Sequence, residues 1–293
     1  MLSLHTNFAS LSAQNSISNT QSKLSTSMTR LSTGFRVNSA MDDAAGLQIA
    51  TRLKAQTSGM TVAMSNTQNS TSMLQTAEGA FSEVTNMLVR MKDLATQAAD
   101  ASSSLDDRKA MQAEYDALGT ELYNVMTNTT FGGTKLLGDG SASTKGTLSS
   151  SMTFQIGASS TEKMNFDVSS NLTSLNAKLT GLSSNFAASS ITNASELTTG
   201  TAANGAIDKL EKAINDVSTI RSALGATANR LDHVNSNLSN ISTNTKAASG
   251  RIMDTDFATE SSNMTSSQML LQAGTAMLKQ SNSMSSMVMS LLQ

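Results

Sequence analysis

SSQMLLQAGTAMLKQSNSMSSMVMSLLQ, residues 266–293, decides how this chain is read. Leu270, Ala273, Met277, Gln280, Met284, Met287 and Leu291 alternate by three and four residues without a break, and Lys279 is the one charge in the stretch. That spacing is a coiled-coil seam, and a helix carrying it needs a partner to bury it. The other end of the chain reads the same way. Leu4, Phe8 and Leu11 continue one stripe, and Leu24, Met28, Leu31 and Phe35 continue another, rotated by about one residue. A chain whose first and last forty residues both seek partners is built to assemble.

Composition agrees with assembly. Only 3% of the 293 residues are aromatic, and Trp, Cys and Pro are absent. Aromatic rings carry much of the burial in a wide globular core, whereas long thin helical packing needs only Leu, Ile, Met, Val and Ala. The 19 Met suit adaptable helix–helix surfaces, with core filling as the expected role of most of them. Without proline a helix can run long, and without cysteine disulfide and thiolate chemistry are excluded. The net charge of −2 and pI near 5.7 leave no basic stripe for nucleic acid. No run approaches ~18 uninterrupted apolar residues, so no membrane span is expected. MLSLHTNFAS lacks the basic and then apolar regions of a cleaved signal peptide, which predicts a cytoplasmic chain or export by another route.

Between the seams, Gly34, Asn38 and Ser39 break the first helix, and Asp42 and Asp43 sit where carboxylates favour a helix start. A helix of about 55 residues, about 80 Å long, then runs to Asp100, with Met60, Met64, Thr67, Thr71, Leu74, Phe81, Leu88, Met91, Ala95 and Ala98 on one face. Ser102–Ser104 ends it. A further helix carries Met111, Tyr115, Leu118, Leu122 and Val125 and stops at Phe131-Gly132-Gly133. The alternating runs 152–156 and 164–168 read as hairpin strands. Residues 169–204, rich in Ser, Thr and Asn, read as a short surface-exposed insert. Helical period returns with Leu210, Val217, Leu224, Leu231 and Leu238 at sevens, flanked by Ile207, Ile214, Val234 and Ile241.

The predicted fold is therefore mainly α, a long antiparallel helical bundle or coiled coil. Its N- and C-terminal helices pair, and a small β-hairpin region lies distal to the termini. The expected domains are a terminal coiled coil (1–40 and 255–293), a helical rod with hairpins (41–168 and 205–254) and the insert (169–204).

Chemistry is hard to find. His5 and His233 lie in different helical regions with no metal-ligand spacing around either. Protease, esterase and phosphate-loop motifs are absent. Asp254, Asp256 and Glu260 depart from a calcium loop and read instead as capping before Phe257. No catalytic residue, cofactor or metal is expected. Charges such as Lys92, Arg108 and Glu211 read as a solvated helical face.

Several stretches resemble the bacterial flagellin family. They are LSTGFRVNSAMDDAAGLQIATRL (31–53), LGATANRLDHVNSNLSN (224–240), RIMDTDFATESSNM (251–264), QAGTAMLKQSN (272–282) and the ending Ser290-Leu291-Leu292-Gln293. Phe131-Gly132-Gly133-Thr134-Lys135-Leu136-Leu137 and Phe154-Gln155-Ile156-Gly157-Ala158 resemble its hairpin region.

The resemblance implies a filament subunit whose terminal helices line an inner tube and whose insert faces solvent. It implies a homopolymer that meets filament cap and hook-associated proteins. It also implies a secretion chaperone over the C-terminal seam and export through the flagellar type III apparatus, to an extracellular filament. The interface residues it points to are Leu4, Phe8, Leu11, Leu24, Met28, Leu31, Leu270, Met277, Leu278, Met284, Met287 and Leu291. Recognition by a Toll-like receptor is implied at Arg90, Leu94 and Glu114, beside departures from the family's motif at Val89, Lys92 and Asp93. The short, Met-rich form resembles lateral, swarming-type flagellins. The alternative readings are a hook–filament junction protein, a secreted amphipathic protein acting on membranes, and an enzyme with a site hidden in 169–205.

Overall fold

A computed structural model describes residues 7–138, 145–186 and 194–291, with side chains described through Met284. Leu4 and His5 lie outside the described residues. Met287 and Leu291 have described helical backbone only. Among the described residues six α-helices dominate: α1 (Phe8–Thr33), α2 (Ala44–Ala99), α3 (Leu105–Asn128), α4 (Ser169–Thr180), α5 (Gly200–Met253) and α6 (Phe257–Leu291). Two antiparallel hairpins accompany them, β1 (Thr130–Phe131) with β2 (Thr134–Lys135) and β3 (Met152–Gln155) with β4 (Lys163–Phe166). The fold is mainly α, as the periodicity predicts.

The helix ends follow from local chemistry. The first helix stops because Gly34 turns left-handed at φ 74°, donating its N–H to the Arg30 carbonyl at 2.9 Å. The second starts because the Asp43 carboxylate accepts the Gly46 N–H at 2.8 Å, while Asp42 Oδ2 accepts the N–H groups of Asn38 and Ser39. At α3, Ser104 and Asp107 form a reciprocal capping box. Arg108 reaches back to the carbonyls of Ala98 and Asp100 at the end of α2, at 2.8 and 2.9 Å. The acidic stretch before Phe257 is a cap, as expected: Asp256 accepts the Ala258 N–H at 3.0 Å and the Thr259 hydroxyl at 2.7 Å.

The carboxyls of Asp42, Asp107 and Asp256 lie below the ordinary 3.8. The Ser39 and Asn38 N–H groups lower Asp42, the Ser104 hydroxyl lowers Asp107, and the Thr259 hydroxyl lowers Asp256. A carboxyl depressed by folding contributes stability above its unfolded pKa and loses it as pH falls through the folded one. Thermal unfolding should therefore be flat from neutral pH to about pH 5 and decline below about pH 4. A midpoint declining already between pH 7 and 5 would show that these caps do not set the acid limit.

The chain forms two compact units, residues 1–57 with 243–293, and residues 58–242. The boundaries differ from the expected 40/41 and 254/255. In the first unit the breaks between helices are tied together. Arg36 donates through its backbone to Met253 O (2.6 Å) and through its guanidinium to Ile252 O (2.8 Å), and Thr255 N–H meets Gly34 O at 3.0 Å. The start of α2 and the end of α5 therefore belong with the terminal helices.

In the second unit, α2 runs antiparallel to α5. Glu78 pairs with Arg221 at 2.7 Å and Lys92 with Glu211 at 3.7 Å, so numbers rise on one helix as they fall on the other. The core takes Leu74, Phe81, Leu88 and Met91 from α2, Tyr115, Leu122 and Met126 from α3, and the sevenfold series Leu210, Val217, Leu224 and Leu231 from α5. Between β1 and β2, Gly132 and Gly133 both take positive φ (58° and 82°), the conformation a two-residue hairpin turn demands. Phe154 and Phe166 stack across β3 and β4 at 6.5 Å.

The described part of 169–204, residues 169–186 and 194–204, is not the solvent-facing insert the composition suggests. Leu172, Leu175, Leu179, Leu182, Phe186 and Leu197 are all buried in this core. The leucines recur at three and four residues, and a Ser/Thr-rich background hid a helical stripe. A polar network fastens the segment to α3. The Gln112 amide donates to Asp116 Oδ1 and Glu196 Oε2, each at 2.8 Å, and accepts the Leu197 N–H at 2.6 Å. Ser184 donates to Glu196 Oε1 through both its N–H and its hydroxyl. Burial raises the Glu196 carboxyl, but these Ser184 and Gln112 donors outweigh it and hold the group below 4.5. Tyr115 donates to Leu182 O at 3.1 Å, and burial pushes its phenol far above the usual range. These are packing contacts and not an active site.

Gln112→Leu would leave Asp116, Glu196 and the Leu197 N–H each short of a partner. At about 1–3 kcal/mol per orphaned group, the urea midpoint should fall clearly with the m-value unchanged. An unaltered midpoint would mean water replaces the amide without cost.

Candidate assembly surface

The first unit holds the candidate surface. Helices α1 and α6 pack against each other antiparallel. The Asn7 amide donates to the Ser281 carbonyl (3.3 Å) and hydroxyl (3.2 Å), and Arg30 lies 3.8 Å from Glu260. Between these ends, a methyl on Gly274 would sit 2.9 Å from Ile17 Cγ1. Ile17 thus packs closely against the open side of Gly274.

The covered face of α1 is Ser10, Ala13, Ile17, Thr20, Leu24, Ser27 and Leu31. That of α6 is Glu260, Met264, Ser267, Leu271, Gly274, Leu278 and Ser281. Both alternate by three and four residues, so both are heptad seams. Both are rich in small and polar side chains. Ser27, Glu260 and Ser267 are their most buried members.

Further large apolar side chains lie outside this seam. Phe8 (80% exposed), Leu11, Met28, Leu270 (62%), Met277 (68%) and Met284 all face solvent. Of the expected interface residues, these six lie on the outward faces. Leu24, Leu31 and Leu278 do not: they belong to the inner seam, half-buried between α1 and α6. On α6 the two seams differ by a single position, 270/277/284 against 271/278, about 100° around the helix. Apolar doublets at Leu270-Leu271 and Met277-Leu278 supply both. Sequence reasoning missed Met269 and Phe257, at 60% and 57% exposure, and the fully projecting Met41. The doublets were the signal for a second face.

Of the residues implied for receptor contact, Arg90 and Glu114 come together. The guanidinium of α2 meets the α3 carboxylate at 2.7 Å, with both side chains about half exposed. Leu94 does not join them at the surface: it is 3% exposed and packs in the core. Among the described residues no group of side chains could hold a metal ion, and no helix is long and apolar enough to cross a membrane. His233 lies exposed on α5.

Comparison with known proteins decides what this surface belongs to. Residues 4–142 match the bacterial flagellin N-terminal helical region, and residues 207–292 match the bacterial flagellin C-terminal helical region. The chain belongs to the bacterial flagellin family. Flagellin A of Vibrio anguillarum is 34% identical across 100% of both chains, and a flagellin of Halalkalibacterium halodurans is 37% identical across 91% of this chain and 90% of its own. In fold, the chain is similar to a Vibrio parahaemolyticus protein assigned as flagellar hook-associated (TM-score 0.55, 17% identity, 73% of this chain and 100% of that one). As a flagellin, it is a structural subunit of the extracellular flagellar filament, a homopolymer, and not an enzyme. In this chain α1 lies within the first matched region and α6 within the second.

Proposed function

We propose that this chain self-assembles into the filament by burying the outward stripes of α1 and α6 against neighbouring copies. One observation carries the reading: the two helices already pair through a seam of mixed small, polar and apolar side chains and leave Phe8, Leu11, Met28, Leu270, Met277 and Met284 in water. Each such side chain gives about 1.5–3 kcal/mol when buried, which the monomer cannot recover. A helix pair offering the same surface on every copy, in a contact that does not close on itself, extends into a filament and not a ring.

Motility by rotation of that filament is the function in the cell. Export through the flagellar type III apparatus, with a chaperone covering the α6 stripe beforehand, fits a surface that would otherwise associate too early. Filament cap and hook-associated proteins meet the same terminal faces at the ends of the polymer. A Toll-like receptor would have to use the exposed Arg90–Glu114 pair without Leu94.

The test is seeded growth. Purified chain added to short filament fragments should extend them into long uniform tubes visible by electron microscopy. A chain that binds seeds once and stops them growing would be a junction protein. A chain that ignores seeds would remove the assembly reading.

A further inference from the structure

The outward stripes are unusually rich in sulfur. Met28, Met269, Met277 and Met284 are each 55–68% exposed, while Met60, Met91 and Met126 in the second unit are nearly inaccessible. Met277 and Met284 repeat the heptad position of Leu270, so packing at that position does not require a thioether. The chain has no cysteine, which leaves methionine as its only sulfur target for an oxidant.

We propose that Met28, Met269, Met277 and Met284 are a set of oxidation sites through which hydroperoxides switch off assembly of the free chain. The inference rests on the assembly reading above. The thioether sulfur attacks the outer oxygen of the hydroperoxide and the O–O bond breaks. The sulfur keeps one oxygen and loses two electrons, and the departing oxygen leaves as water or an alcohol after taking up the proton. Each product is a polar, chiral sulfoxide that methionine sulfoxide reductases can reverse. On a stripe that must shed its water to meet a neighbour, a sulfoxide dipole opposes docking. It has little effect on the monomer, where these positions are already wet. Once assembled, the same sulfurs are covered, so the filament resists the oxidant that disables the free subunit.

The test uses the full chain treated with hydrogen peroxide, quenched, and mapped by mass spectrometry before seeding. Sulfoxide should appear at the four sites and not at Met60, Met91 or Met126. Elongation should slow by about tenfold or more with the monomer's melting unchanged, and sulfoxide reductase should restore it. A variant with M28L, M269L, M277L and M284L, which keeps the projecting Met41, should elongate equally before and after peroxide. Normal elongation by a chain carrying the four sulfoxides overturns the proposal. So does peroxide sensitivity that survives in the four-leucine variant. Untreated chain that fails to extend seeds overturns the assembly reading instead, and takes this proposal with it.

Discussion

Filament growth should be lost in the double variant L270D/M277D while the monomer stays folded. Both positions are more than 60% exposed, and substitutions at such surface sites usually alter stability by no more than about 0.5 kcal/mol. Far-UV circular dichroism and the melting midpoint should therefore match the parent. Assembly is different. Two apolar side chains worth about 1.5–3 kcal/mol each are removed, and two carboxylates would need to be desolvated in their place. With tenfold in affinity for each 1.4 kcal/mol, the critical concentration for growth should rise by at least about a hundredfold. Parent-like filaments from this variant would mean that another face makes the contact.

The second large effect is at Gly274. A Cβ there stands 2.9 Å from Ile17 Cγ1. Gly274→Ala sets a helix-propensity gain of about 1 kcal/mol against a shift of Ile17 and should be nearly neutral. Gly274→Leu adds bulk the seam cannot accept, at an overpacking cost of about 1–3 kcal/mol. The pairing of α1 with α6 should open, seen as rapid amide exchange in both helices while α2, α3 and α5 remain protected. Adding Ile17→Ala should restore part of the protection, because the two residues share one hole. Unchanged exchange in Gly274→Leu would show that Ile17 does not set the spacing of the pair.

These two variants separate faces that the sequence presents together. Three/four periodicity made the terminal helices, the sevenfold leucines of α5 and the long α2 legible. It could not say which of two overlapping heptads on α6 meets α1, because Leu270-Leu271 and Met277-Leu278 serve either. Choosing the heptad of Leu270, Met277 and Met284 favours the face that stays in water here. The inner seam was hidden because small residues, Ala13, Ser27, Ser267 and Gly274, do its packing. The leucines of α4 were lost in a Ser/Thr-rich background for a similar reason. Composition dominated where spacing carried the information. Leu94 shows the limit of transferring a motif: its neighbours Arg90 and Glu114 are at the surface, while one helical turn from Arg90 the chain faces the core.

Assembly turns on which face of α6 is free in the monomer and covered in the filament. Because the chain has no cysteine, a single thiol at each of two adjacent positions reports this directly. In M277C the thiol should react quickly with a maleimide in monomer and slowly in filament. In L278C it should react slowly in both, since Leu278 already lies against α1. Equal reactivity of M277C in monomer and filament would contradict the claim that this stripe is the assembly surface.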